Sequence, residues 1–428
     1  MTWRTTSLRG AAEVALGRQR SPENADGPDM VRYLRAANVK DGVLDLGDVQ
    51  SMNFTPSEQE TFALRPGDVL ITEGSGSLRA VGASAVWNGE IAGTVCFQNT
   101  LLRLRPRVGV DGRFLGWWSR AAFASGLFAS IATGASIYHL SADRIRSCEF
   151  SIPPLEEQRR IADFLDVETS RVDVQMAALQ RFDTLVVERE RAVLAKELNP
   201  GDGVVNGELP NGWRWAPLAY LTDQLRQIMY GIVLPGPNVD VGVPIVKGGD
   251  VASSRLNVEQ LSKTTFEIEA GYVRSRLRGG DLVIAIRGSV GEVRRVPDEL
   301  NGANLTQDAA RISVGSDTDS LWLEHVLQSP LVVKQMRERT TGATIRGLNI
   351  WDLKRLLIPT PSSVLQARLG KGIQRSVDSH EQIRSRISRH RTLLFERRQS
   401  LITAAVTGQF DVTTASGRNL TQGVGDAG

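Results

Sequence analysis

Two stretches of the chain hold apolar residues at every seventh position over long distances. Residues 155–198 contain no Gly or Pro after the Pro153-Pro154 start, and Asn199-Pro200-Gly201 supplies the stop. Along this run Leu165, Val172, Leu179, Val186 and Val193 recur at heptad spacing, with Ile161, Met176 and Phe182 near the same seam. A helix of this length spans roughly 65 Å. The second stretch carries Ile373, His380, Ile387, Leu394 and Leu401, each 208 residues after its counterpart. A heptad sustained over four steps in both copies predicts coiled-coil helices. Neither helix buries such a stripe alone, so the two are expected to pack on each other, antiparallel; the alternative is that each folds back on its own globular region. His380 is expected as a hydrogen-bonded core or edge residue. The charged runs at 188–191 (ERER) and 396–398 (ERR) read as solvated faces or as surface for a partner helix.

Elsewhere the apolar runs are short and bounded by Gly-rich turns, which predicts strands at residues 68–72 (DVLIT), 101–104, 281–286 (DLVIAI) and 310–314 within mixed α and β regions. The chain also matches itself. At a shift of 208, residues 111–115 (DGRFL) lie over 319–323 (DSLWL), and 133–137 (TGASI) over 341–345 (TGATI). Leu140 falls on Leu348, Gln158 on Gln366 and Glu188 on Glu396. Earlier the shift drifts to 213 at Gly67-Asp68 and 210 at Trp3-Arg4, so loops near the start of each copy differ in length. So long a period is a duplicated domain, not a solenoid repeat. Two such copies are suited to a pseudo-twofold arrangement, which fits two half-sites on duplex DNA or a duplicated scaffold for another partner.

With 428 residues, 41% of them hydrophobic and 23% charged, the chain is long enough for two or three cored domains. The formal charge of +3 is a mild electrostatic hint of a nucleic-acid partner. Of the basic residues 44 are Arg and seven Lys. Arg forks suit phosphates and guanine edges, although a GC-rich genome produces the same bias. No apolar stretch suits a signal peptide or a membrane span, which gives a cytoplasmic expectation. Cys96 and Cys148 are expected reduced, buried and structural.

Polar loops carry the side chains that contact base edges and phosphates. In the second copy these are residues 226–231 (RQIMYG), with Arg226, Gln227 and Tyr230; 287–291 (RGSVG), with Arg287 and Ser289; and 340–349 (TTGATIRGLN), with Thr341, Arg346 and Asn349. Their first-copy counterparts lie near 17–21, with Arg18 and Arg20; 73–79, with Ser75, Ser77 and Arg79; and 133–140, with Tyr138 and His139. Any exposed loop has such a composition, so the ordinary solvated reading stands beside the DNA-contacting one. Catalytic motifs are missing: there is no GxxxxGK[ST], Gly370-Lys371-Gly372 lacks its spacing, and Gly74-Ser75-Gly76 is too short for a nucleotide fingerprint or a nucleophile elbow. His139, His325, His380 and His390 have no metal-ligand spacing, and neither an Asn-Pro-Pro-Tyr type motif nor a nuclease carboxylate-Lys cluster occurs. No catalytic residue, metal or cofactor is therefore expected.

Residues 152–161 (IPPLEEQRRI) before a long heptad helix, a second copy at 358–369 (IPTPSSVLQARL), 209–218 (LPNGWRWAPL) and 401–412 (LITAAVTGQFDV) together resemble the specificity subunits of type I restriction-modification systems. With the duplication, the resemblance covers nearly the whole chain. It implies an α+β protein with two similar mixed α/β target-recognition domains at 1–154 and 200–360. Two long spacer helices at 155–199 and 361–412, packed as an antiparallel coiled coil, would join them, followed by a tail at 413–428. It further implies that each domain reads one half of a split double-stranded DNA site, that the helices dock two methyltransferase subunits, and that a motor-nuclease subunit completes the restricting assembly. The second copy departs from the pattern, with Ser-Ser-Val-Leu-Gln where the first has Leu-Glu-Glu-Gln, which bears on its helix start and its methyltransferase contacts. The competing reading is a non-catalytic coiled-coil adaptor with two end domains and no DNA affinity.

Overall fold

The computed structural model describes residues 3–198, 209, 211–252, 256–340 and 347–412. The chain divides into two compact units, one built from residues up to 179 and from 389 onward, the other from residues 180–388. In the first, a four-stranded antiparallel sheet has the order Ala12–Leu16, Leu101–Pro106, Asp68–Thr72, Ser84–Trp87. A three-stranded sheet sets Met30–Leu34 parallel to Val95–Phe97 and antiparallel to Gln50–Asn53. Arg4–Ser7 pairs with Glu149–Ile152.

The second unit repeats this plan strand for strand. Its four-stranded order is Met229–Tyr230, Ala309–Ile312, Leu282–Ala285, Val293–Arg295. Val243–Val246 lies parallel to Asn304–Leu305 and antiparallel to Lys263–Thr264, and Arg214–Pro217 pairs with Leu357–Thr360. All four strands expected from the apolar runs are present. Asp68–Thr72 and Leu282–Ala285 are buried along their whole length, which is why they read as unbroken apolar runs rather than as alternation.

Beneath each four-stranded sheet a buried Arg ties loop carbonyls together. Arg103 donates to the carbonyls of Thr61 (3.0 Å) and Ala63 (3.3 Å) and to Glu13 (2.8 Å). Arg311, its match at the 208-residue shift, donates to the carbonyls of Arg274, Arg276 (3.2 Å) and Gln227 (3.1 Å). Burial lowers both guanidinium pKa values, that of Arg311 to about 10, so Arg311 stays charged at neutral pH.

The long helices are Leu155–Leu198 and Ser363–Val406. Leu165, Val172, Val186, Ile373, Ile387 and Leu394 are buried on the heptad seam, and Leu179, Val193 and Leu401 are half-buried. Phe182, expected near that seam, is exposed. His380 is buried there, but its Nδ1 has no hydrogen-bond partner among the described residues; it packs more than it bonds. The helices run antiparallel within each unit. In the first, Phe164 stacks near Phe410 and Asp173 pairs with Arg398 at 2.9 Å, so the partner number falls as the helix number rises. In the second, Asp183 pairs with Arg384 at 3.0 Å, and Leu194 and Leu198 share a core with Leu369 and Ile373.

The Gln of each helix start has a structural task. Gln158 accepts from the backbone N–H of Asp111 (2.8 Å) and donates to the carbonyls of Gly109 and Pro153, while the Asp111 carboxylate caps the helix Gly112–Ala124. Gln366 accepts from the N–H of Asp319 (3.0 Å) and donates to the Pro361 carbonyl, and Asp319 caps Ser320–Leu327. The segment Ser-Ser-Val-Leu-Gln departs from the first copy yet keeps the one side chain that locks the long helix to the globular body. The second helix start is therefore built like the first.

Candidate nucleic-acid interface

In the first unit the three polar loops emerge from the same end of the four-stranded sheet; in the second, residues 287–291 and the chain after Gly231 leave from the matching end, whereas Arg226 and Gln227 precede Met229–Tyr230 at the opposite end, beside Asp281. In the first, Ala12–Leu16 and Asp68–Thr72 both end beside the start of Leu101–Pro106. Gly74–Ser75 then pairs with Tyr138–His139, and the Leu140 N–H donates to the Glu73 carbonyl at 2.8 Å. In the second, Arg287 forms an isolated bridge with Gly347, and the Leu348 N–H donates to the Ile286 carbonyl at 2.8 Å. The third loop is anchored by a glycine in both. A Cβ on Gly17 would lie 2.3 Å from the Gln98 carbonyl oxygen, and one on Gly231 would lie 1.9 Å from that of Leu305, so only glycine permits the approach. Gly17 thus corresponds to Gly231, and residue 232 rather than 226 takes the place of Arg18.

These side chains have different fates. Arg20, Ser77, Arg79, Arg287 and Ser289 are exposed, as is Tyr230 at about half its surface. His139 is exposed and sets its Nδ1 3.1 Å from a carboxylate oxygen of Glu73, which the sequence reading missed. Ser75 and Tyr138 are half-buried; the Ser75 hydroxyl accepts from the Ser77 N–H and so shapes its own turn. Gln227 is exposed and accepts from the Lys354 ammonium at 3.1 Å.

Three expected contacts have work inside the fold. Arg18 pairs with Glu58 at 2.7 Å, donates to the Asn53 carbonyl and lies over the Phe54 ring. Arg226 grips Asp281 with two bonds of 2.8 Å and donates to the Arg276 carbonyl. In the first unit Arg105 performs that task on Asp68 and the Ala63 carbonyl, so Arg226 is its replacement from another position in the chain. Both Arg18 and Arg226 hold the loops in place instead of offering free guanidinium edges. Asn349 caps the helix Ile350–Lys354, its side chain accepting from the Asp352 N–H at 2.8 Å. Thr341 and Arg346 lie outside the described residues.

Among the described residues no three His, Cys, Asp or Glu side chains are placed to hold a metal ion. Cys96 and Cys148 are buried, and burial raises both thiols, Cys96 to about 12, so neither supplies a thiolate at neutral pH. No described helix is long and apolar enough to cross a membrane.

Residues 2–175 match the family model described as the type I restriction modification DNA specificity domain. The chain is 24% identical over 295 residues to the type I restriction enzyme EcoBI specificity subunit of Escherichia coli, a match spanning 65% of the chain and 61% of that relative's own length. It is 23% identical over 406 residues to the EcoKI specificity subunit of Escherichia coli strain K12, across 89% of the chain and 82% of the relative. Among solved structures, one from work on complex assembly and conformational transition of the type I R-M system superposes with a TM-score of 0.74 at 18% identity, covering 95% of this chain and 97% of that one. The HsdS subunit of Thermoanaerobacter tengcongensis gives 0.53 at 18% identity, with coverage of 95% and 97%. The matches agree in kind: residues 2–175 fit the type I specificity domain, the chain is similar in sequence to type I restriction enzyme specificity subunits, and its fold is that of the solved type I structure.

Proposed function

We propose that this chain is the DNA sequence-specificity subunit of a type I restriction-modification complex, without chemistry of its own. The globular regions 1–154 and 200–360 each read one half of a bipartite double-stranded site, and the helices at 155–199 and 361–412 act as the spacer. The observation that carries this reading is the convergence of polar loops at one sheet end in each unit, three of them in the first and the segments around Arg287 and Gly347 in the second, with Arg20 and Arg79 exposed in the first and Arg287 in the second. Arg donors on rigidly anchored loops suit guanine edges and phosphates.

Two methyltransferase subunits dock on the helices, and a motor-nuclease subunit joins them in the restricting assembly, in the cytoplasm. Apolar side chains left exposed on the helices support this: Val167, Val174, Leu393 and Phe395 in the first unit, Phe182 and Leu185 in the second. Solvent-facing apolar residues at helical spacing fit partner helices better than water.

Mobility shift of the assembled complex on DNA altered in one half-site at a time tests the reading. Arg287→Ala weakens binding by about 1–3 kcal/mol through a single half-site if the contact is bidentate to a base. Loss of preference in the other half-site would refute the assignment of one unit to one half, and a chain without DNA affinity would be the adaptor instead.

A further inference from the structure

The second unit displays an aromatic–guanidinium pair that belongs to none of the three loops. In the helix Ile350–Lys354, Leu353 faces the core, while Trp351 is 64% exposed. The Arg355 guanidinium carbon lies 4.1 Å from the centre of its ring. Among the described residues Arg355 has no carboxylate or hydrogen-bond partner for its side chain, so its N–H groups are held in one plane by the stack and remain unspent. Among the described residues of the first unit the aromatic rings paired with guanidinium groups are buried. The corresponding helix of that unit, Ala142–Ser147, carries Asp143 and Ser147 at these positions, and Arg146 is committed to Asp143 and the Val14 carbonyl.

The location of the pair indicates what it meets. Gly347, three residues before the helix, is bridged to Arg287; Lys354 bonds Gln227; and Ile350 shares with Tyr230 a cavity of about 500 Å³. The short helix therefore begins beside the Arg287 loop and ends beside Gln227, so it lies along the exposed polar segments of this unit. A stacked guanidinium keeps its charge, loses little freedom on binding and presents a fork that matches two oxygens of one phosphate. An adjoining indole offers a flat apolar surface to a sugar.

Resting on the function proposed above, we infer that Trp351 and Arg355 form a backbone clamp on the DNA of the second half-site, Arg355 donating to a phosphate and Trp351 packing on the neighbouring sugar. The clamp fixes register and reads no base. The first unit does without it.

The test is DNA binding by the chain assembled with its methyltransferase subunits, measured across a salt series on cognate DNA and on variants of each half-site. Arg355→Ala lowers affinity roughly tenfold on all these duplexes alike, and lowers the slope of log K against log salt by about 0.9, the release from one phosphate. Arg355→Lys keeps the slope and loses part of the affinity. Trp351→Ala weakens binding without altering base preference, and Trp351→Phe restores most of it. Unchanged affinity and slope in Arg355→Ala would overturn the clamp, as would a loss confined to one base pair, or weaker methyltransferase assembly with DNA affinity intact. If the unsubstituted assembly shows no specific binding, the function beneath the proposal falls with it; normal specific binding with an inert Arg355 removes the clamp alone.

Discussion

Where each globular body meets its long helices, the first unit holds Arg113, Trp117 and Asp166, and the second holds Leu321, His325 and Gln374 at the matched positions. In the first, the Trp117 indole donates to Asp166 at 2.9 Å, and Arg113 spans Asp163 at 2.7 Å and Asp166 at 3.0 Å. In the second the charges at these positions are gone: His325 is buried near Gln374, and its Nε2 has no hydrogen-bond partner among the described residues. Yet Asp111 and Asp319, Gln158 and Gln366, and Arg103 and Arg311 keep their identity across the repeat and bond backbone groups in both copies. The difference separates two kinds of position. Side chains that satisfy buried backbone groups stay, because an orphaned carbonyl or N–H has a fixed cost. Side chains that join one element to another change whenever a second pairing fills the same space.

The largest expected effect breaks a kept position. Arg311→Met leaves the carbonyls of Arg274, Arg276 and Gln227 without their donor and should destabilise the second unit by about 3 kcal/mol or more. Arg103→Met should do the same to the first unit. Denaturant unfolding checks both, and a loss under about 1 kcal/mol would show that the carbonyls find other partners.

An exchanged position gives a pH signature. Burial depresses His325 to about 4, so the unfolded chain takes up a proton below about pH 6.5 while the folded one does not. The stability present above pH 6.5 is therefore lost progressively as the pH falls toward 4, by about 2 kcal/mol between pH 7 and pH 5. His325→Phe should remove this component, so its stability relative to the parent rises on acidification. Parallel pH profiles for the two proteins would contradict it.

A smaller effect sharpens the comparison. Gln158→Ala and Gln366→Ala should each cost about 1–2 kcal/mol, since each strips a buried N–H acceptor and a carbonyl donor. Unequal costs would mean that the altered helix start of the second copy has shifted the load elsewhere.

Much of the fold was legible because its signals are local. The heptads marked both helices, and the shift of 208 aligned Gln158 with Gln366 and Leu140 with Leu348, pairs that turn out to make equivalent bonds. The candidate interface was legible as loops but not as side chains. Nothing in the sequence distinguishes Arg226, committed to an aspartate 55 positions away, from Arg287, which is exposed. The loop alignment also misled: Gly17 matches Gly231 through a close backbone approach that the drifting register conceals. Nothing in the sequence singles out Trp351, because its exposure depends on which face of the short helix Leu353 buries.

The central claim is that each unit recognises its own half of one split site. Mapping methylated adenines in the DNA of cells that carry this chain with its methyltransferase tests it most directly, for the parent and for Arg287→Ala side by side. The account predicts a bipartite motif with a fixed gap, and in the variant relaxed sequence within one half and an unchanged other half. A continuous motif, or relaxation spread over both halves, would contradict it.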